Sequence, residues 1–188
     1  MANILKKLFG SKDERDLKQL NPILHQILAE YERVDAYTND ELRAESASIR
    51  AAIASKTAAE EAEAAEIREK LTDVEIGIAE KESLATRLDQ LIKEIDEKLE
   101  KALDEALPAA FAVMKSTARR FAEGKPIRVL ASDFDRNLSV TREYVTIDGD
   151  YAEWKTSWMA GGNMQSWDMV HYDVQLIGGT VLHQGNIA

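Results

Sequence analysis

The sequence predicts an α+β chain, predominantly helical, in which a long helix or helical hairpin is joined to a small antiparallel β insert. Three observations predict it. Apolar residues recur at three- and four-residue spacing from Ile67 to Leu103, the period of one helix face. Residues 127–168 alternate instead, with β-branched and aromatic side chains on either side of Asp148-Gly149, a hairpin-turn pair. Between these regimes lies Gly124-Lys125-Pro126, a helix stop.

The helical part is read from its start. Residues 2–9 have the spacing of a short amphipathic helix, with Ile4, Leu5, Leu8 and Phe9 beside Lys6 and Lys7. Asp13, Glu14 and Asp16 open a second helix, since acids favour a helix N-terminus. It carries Leu17, Leu20, Leu24, Ile27, Leu28 and Tyr31 on one face, with Pro22 as a kink or restart. Thr38 followed by Glu41 is a capping box opening a helix with Leu42, Ile49 and Ile53 inward. The long segment follows, and some 50 helical residues would span roughly 75 Å. It therefore projects as an arm or folds back near Gly77. Pro108 suits the first turn of a new helix reaching Ala122. Beyond it, a sheet of two or three strands is expected, with Tyr151, Trp154 and Trp158 on the strand returning from Asp148-Gly149 and a further turn at Gly161-Gly162-Asn163. Tyr172–Leu182 has helical spacing again, with Gly178-Gly179 inside it.

Composition narrows the function classes. The chain has 188 residues, 45% apolar and 31% charged, within the range of folded soluble domains. It lacks a run of about 18 apolar residues and any secretory signal. It contains no cysteine, which excludes disulfides and thiolate-held zinc. A net charge of −10 speaks against a nucleic-acid partner, which needs a basic face. That charge is concentrated: residues 57–105 hold 16 acidic and 7 basic side chains, net −9, whereas the first twelve residues carry Lys6, Lys7 and Lys12 and no acid. Such a basic amphipathic tip can rest on an anionic membrane surface.

Catalytic constellations are sparse. The three histidines, His25, His171 and His183, have no metal-ligand spacing. Asp133 and Asp135 flank Phe134 and read best as a turn-forming pair. Gly124-Lys125-Pro126 is no phosphate loop, because the earlier glycine and the following Ser or Thr are missing. The informative stretch runs from Met169 through Val170-His171-Tyr172-Asp173-Val174-Gln175-Leu176-Ile177 to Gly178-Gly179. The amide of Gln175 has donors and an acceptor that match adenine N7 and N6 together. Tyr172, three residues earlier, shares its helix face and can pack on a base.

The order of these segments resembles the SecA family, the ATP-driven motors of bacterial preprotein translocation. The resemblance is carried by Ile4-Leu5-Lys6-Lys7-Leu8-Phe9-Gly10-Ser11, by Asn39-Asp40-Glu41-Leu42-Arg43, and by Leu107-Pro108-Ala109-Ala110-Phe111-Ala112-Val113 continuing to Ala118-Arg119-Arg120. It ends in Met169, His171–Gly179, Val181-Leu182 and Ile187-Ala188. It covers roughly residues 1–55, 103–123 and 167–188. The family commonly has Phe where Tyr172 stands, which keeps a stacking ring, and Arg where Val170 stands, which loses a charge. Segments 57–102 and 125–166 look like insertions.

The resemblance implies an incomplete N-terminal part of a P-loop, RecA-like ATPase domain, ending just before the Lys-Thr phosphate loop. Its expected parts are a basic amphipathic helix (1–12), N-terminal helices (13–56), a long acidic helical insert (57–107), a helix (108–124), a β-rich insert (125–168) and an adenine-recognition motif (169–188). Gln175 would bond the adenine edge of ATP, Met169 and Tyr172 would pack near the base, and His171 and Asp173 would lie beside them. No catalytic or metal-holding residue is expected in this stretch, so these residues alone would show no ATPase activity. Residues 1–12 would contact anionic phospholipids and a SecYEG-type membrane channel. The intact motor would hydrolyse ATP with Mg²⁺, move preproteins, form homodimers and sit in the cytoplasm at the inner face of the membrane. The alternative from another class is a non-enzymatic coiled-coil scaffold built on the acidic helix; a membrane-surface adaptor using the basic tip is a third.

Overall fold

The computed structural model describes residues 12–187; the amphipathic segment expected at residues 2–9 lies outside them. Three long helices come first: α1 (Lys12–Asp35), α2 (Asn39–Leu71) and α3 (Ile78–Ala122). Strand β1 (Ile127–Leu130), the short helix α4 (Asp133–Ser139), and strands β2 (Val145–Asp148), β3 (Tyr151–Trp154), β4 (Ser157–Ala160) and β5 (Asn163–Ser166) follow, and α5 (Asp173–His183) comes last. The chain divides into two compact units, Ala47–Leu107 and the residues up to Ser46 together with those from Pro108 onward.

The unit Ala47–Leu107 is a helical hairpin, which decides between the arm and the fold-back at Gly77. Helix α2 ends at Leu71 and α3 starts at Ile78, where Lys81 N–H donates to the Gly77 carbonyl at 3.0 Å. The Asp73 carboxylate accepts from Glu75 N–H at 2.9 Å within the turn. Ala64 and Ile67 of α2 pack with Leu91 of α3, flanked by Leu71, Leu84, Leu88 and Ile95. Arg87 grips Glu63 through two bonds of 2.8 and 2.9 Å, and Lys98 meets Glu60 at 2.6 Å. Exposed ion pairs add little stability; their use here is to fix the antiparallel register that the apolar stripe leaves loose.

In the other unit, α1 is continuous through Pro22, and its Ile27 and Val34 are fully buried. Val34, Leu42 and Ala112 form one core cluster with Tyr31, Tyr37 and Val113 around it. The open C-terminus of α1 is closed from α3. The Arg120 guanidinium donates to the Tyr37 carbonyl at 2.6 Å and to Asn39 Oδ1 at 2.7 Å. Asp35 accepts from Ser116 Oγ at 2.9 Å and Arg119 Nε at 2.8 Å. The capping box is formed: Thr38 N–H donates to Glu41 Oε2 at 2.7 Å, and Glu41 N–H donates to Thr38 Oγ1 at 3.2 Å.

Pro108 starts no new helix, contrary to the sequence expectation, because α3 runs through it. An interior proline forfeits one backbone bond and disfavours a helix by about 3 kcal/mol. Buried Leu107 and Ala112 on its two sides recover that by packing. The α3 helix stops where Gly124 takes a left-handed φ of 71°, the usual helix-ending role of glycine.

The β region is two sheets instead of one. The three-stranded sheet has the order β1-β3-β2, all antiparallel, with Asp148 opposite Tyr151 across the turn at Gly149. Trp158 is not on the return strand: it lies in β4, which pairs only with β5, Trp158 opposite Gln165. Gly161 and Gly162, at φ 57° and 80°, supply the two positive angles of the tight turn between them. Val129, Val145 and Ala152 make the core of the larger sheet.

Asp133 and Asp135 form no simple turn. Ser132 caps α4 and Asp135 closes the capping box. The Asp135 carboxylate is fully buried, and Arg43 of α2 binds both its oxygens at 2.7 and 2.8 Å. Trp154 Nε1 donates to it at 3.1 Å. The first turn of α2 also covers the free edge of β1: Asp40 Oδ1 accepts from Leu130 N–H at 2.8 Å, and Asn39 donates to the Arg128 carbonyl at 3.2 Å. Burial alone would push the Asp135 carboxyl up, but the hydrogen bonds from Arg43 and Ser132 outweigh it and hold it well below the usual carboxylate range.

Two predictions follow from this packing. Leu91→Ala, at a fully buried site of the hairpin, is expected to lower stability by about 2–5 kcal/mol, read by urea unfolding; a change within experimental error would contradict the hairpin core. A depressed carboxyl contributes stability that is present above the unfolded-state value near ~3.9 and lost as pH falls below it. The urea midpoint should therefore fall on acidification below about pH 4, and Asp135→Asn should be less stable at pH 7 with a flatter acid profile.

Candidate functional site

The candidate site is the N-terminal end of α5 and the segment leading into it. Trp167 anchors that segment. Its ring meets Phe121 edge-on at 6.3 Å, its N–H donates to the Thr156 carbonyl at 3.0 Å, and its Nε1 donates to the Met169 carbonyl at 2.7 Å. Lys115 of α3 holds the next residues: Nζ donates to the His171 carbonyl, stands 3.8 Å from Asp173, and lies over the Tyr31 ring at 5.5 Å. His171 Nδ1 is buried without a hydrogen-bond partner.

Helix α5 is seated by its inner face. Leu176 and Thr180 are buried, and the Thr180 hydroxyl donates to the Leu176 carbonyl at 2.9 Å. Gly179 lies against Phe111, so close that a Cβ there would stand 3.0 Å from the ring. The Gly178-Gly179 pair inside a helix thus has a packing reason at its second position, where a Cβ would crowd the Phe111 ring.

The three residues singled out by sequence lie outward at this end. Tyr172 is 73% exposed and Met169 43% exposed. Gln175 is also exposed, and its Oε1 accepts from Tyr172 N–H at 2.9 Å. That bond is the reverse half of a capping box; it satisfies one free N–H of the helix start and fixes the amide beside the Tyr172 backbone. Tyr172 and Gln175 are therefore brought together, whereas Met169 joins them only through the Trp167 anchor. One lone pair of Oε1 and both hydrogens on Nε2 remain for a ligand.

Among the described residues no group of three His, Cys, Asp or Glu side chains converges as metal ligands, and no described helix is long and apolar enough to cross a membrane. His25 and His183 are exposed. Sequence reasoning missed Lys115, Phe111 and Trp167 as the supports of the site. Lys115 gave one signal, a lone charge in the otherwise uncharged stretch from Leu107 to Ala118.

Set beside known proteins, the chain matches the SecA DEAD-like domain profile over residues 5–188. It is 45% identical over 184 residues to the protein translocase subunit SecA of Porphyromonas gingivalis strain ATCC 33277, covering 98% of this chain and 16% of that protein. The Bacteroides fragilis subunit shows the same identity and coverage. That of Amoebophilus asiaticus is 42% identical over 190 residues, all of this chain and 17% of its own length. No solved structure matches. The chain belongs to the SecA family and carries part of its DEAD-like domain, and it spans about one-sixth of the length of these relatives.

Seating of α5 on α3 is open to test at Gly179. Gly179→Val forces the Phe111 ring aside, and overpacking of this kind destabilises by about 1–3 kcal/mol. Adding Phe111→Leu should restore part of the loss, seen as non-additivity in thermal unfolding; simple additivity would mean the two residues do not touch.

Proposed function

We propose that this chain supplies the base-recognising side of the ATP site in a SecA translocase motor. The observation that carries the reading is the exposed Gln175 amide, held by its bond to Tyr172 N–H. Adenine presents an amino donor at N6 and an acceptor at N7, and a carboxamide meets both at once. Guanine presents an acceptor at O6 in place of the amino group, so the same amide meets it with only one good bond. The exposed Tyr172 ring and Met169 side chain offer a flat and a deformable apolar surface for the base.

In this reading the residues of this chain bind and orient the base, and Mg²⁺ and the phosphates are handled elsewhere in the longer protein. ATP hydrolysis would there drive preproteins through a SecYEG-type channel. Residues 1–12, with their three lysines and apolar side chains, would add contact to anionic phospholipids and the channel. The motor would work as a peripheral protein at the cytoplasmic face of the membrane and would assemble as a homodimer.

The test is Gln175→Ala in the complete protein. A bidentate base contact accounts for ~1–3 kcal/mol of discrimination, so ATP affinity should fall by about ten- to a hundredfold while GTP affinity changes little. Equal losses for ATP and GTP, or none for either, would refute base reading by this residue.

A further inference from the structure

The peptide group between His171 and Tyr172 is bonded by side chains at both of its ends. Its carbonyl accepts from Nζ of Lys115 on α3, and its N–H donates to Gln175 Oε1 at 2.9 Å. This peptide lies immediately before α5, in a stretch that belongs to no helix or strand. Among the described residues no backbone group bonds either end of it. The two side-chain bonds are therefore what keeps it from turning over.

Lys115 is confined from three sides. Its Nζ meets the His171 carbonyl, stands 3.8 Å from Asp173 Oδ1 and lies 5.5 Å from the centre of the Tyr31 ring. Only 12% of its side chain is exposed. A bond from an ammonium to a carbonyl is charge-assisted and stronger than a neutral one. It also polarises the peptide, so that the N–H at the other end becomes a better donor to Gln175. A carboxamide has an acceptor end and a donor end of similar shape. Tyr172 N–H is a donor, so only the Oε1 end satisfies it. Holding the peptide thus fixes the sense in which the Gln175 amide stands.

We propose that Lys115 is a positioning residue for base recognition. By holding the carbonyl of the His171–Tyr172 peptide, it keeps the N–H turned to Gln175 and the amide in the sense that accepts from adenine N6 and donates to N7. This inference rests on the reading of Gln175 as the residue that binds the base. Without the ammonium the His171 carbonyl loses the one bond the structure gives it. The peptide then turns over, its N–H leaves Oε1, and the amide is free to swap ends. Because Lys115 acts through Gln175, its effect disappears when the Gln175 amide is removed.

The experiment is a double-mutant cycle in the complete protein, with ATP and GTP affinities measured by calorimetric titration. Lys115→Met keeps an unbranched apolar stem and removes the ammonium. It should weaken ATP about tenfold, the size of one lost hydrogen bond at a desolvated site, and leave GTP nearly unchanged, which also shows that the variant is folded. In the Gln175→Ala background the same change should cause no further loss of ATP affinity. Lys115→Arg, which keeps a cationic donor, should retain most of the affinity. Four results would overturn the proposal: equal losses for ATP and GTP, a full further loss in the Gln175→Ala background, no effect of Lys115→Met, or an arginine variant as weak as the methionine one. If Gln175→Ala itself weakens ATP, such a result removes the role of Lys115 alone; if Gln175→Ala leaves ATP unchanged, the base reading falls and this inference with it.

Discussion

The pairing of Arg43 with Asp135 is the contact on which the arrangement of the β region depends. A fully buried carboxylate is tolerated only if every oxygen is bonded. Here the bonds come from three separate pieces of chain: Arg43 on α2, Ser132 at the cap of α4, and Trp154 on β3. Shift any one of them and the charge is left uncompensated in the interior. The pair thus specifies one docking of the sheet where apolar packing of Val129, Val145 and Ala152 alone would tolerate several. Asn39 and Asp40, from the same turn of α2, complete the work by occupying the edge of β1, so that edge is closed to pairing.

A second set of contacts runs along α3 and serves the candidate site. Arg120 and Ser116 close the end of α1, Lys115 holds the His171 carbonyl, and Phe111 receives Gly179. About three turns of one helix, from Phe111 to Arg120, therefore place both α1 and α5. The position of Gln175 is inherited from this face: a shift of α5 on Phe111 moves the amide by the same amount. Residues on α3 thus control how well the N-terminal end of α5 is placed.

Much of this was legible in the sequence, and the limits have physical reasons. The capping box at Thr38 and Glu41, the turns at Gly149 and Gly161-Gly162 and the stop at Gly124 are local, and local chemistry decides them. The hairpin turn near Gly77 was legible as a choice, because an apolar stripe fits an arm and a fold-back equally; the packing of Leu91 on Ala64 and Ile67 decides it. Pro108 misled because a proline reads the same at a first turn and inside a helix, and only the packing on its two sides separates the cases. Helix α4 was missed because seven residues are too few to show a period, and Asp135 gains its meaning from a partner 92 positions away. At the candidate site Tyr172 and Gln175 were singled out by their chemistry and lie exposed, whereas Lys115 and Phe111 act across the fold and leave almost no local trace.

The reading of Gln175 as the adenine-binding residue is tested most directly by removing one atom from the ligand instead of the protein. In 7-deaza-ATP the N7 acceptor is replaced by C–H, so the bond from Gln175 Nε2 is lost while N6 is kept. Calorimetric titration of the complete protein should show 7-deaza-ATP binding about tenfold more weakly than ATP, the size of one lost bond at a desolvated site. In the Gln175→Ala variant the two nucleotides should bind alike. If 7-deaza-ATP binds the unaltered protein as tightly as ATP, the amide does not read N7 and the account of this site is wrong.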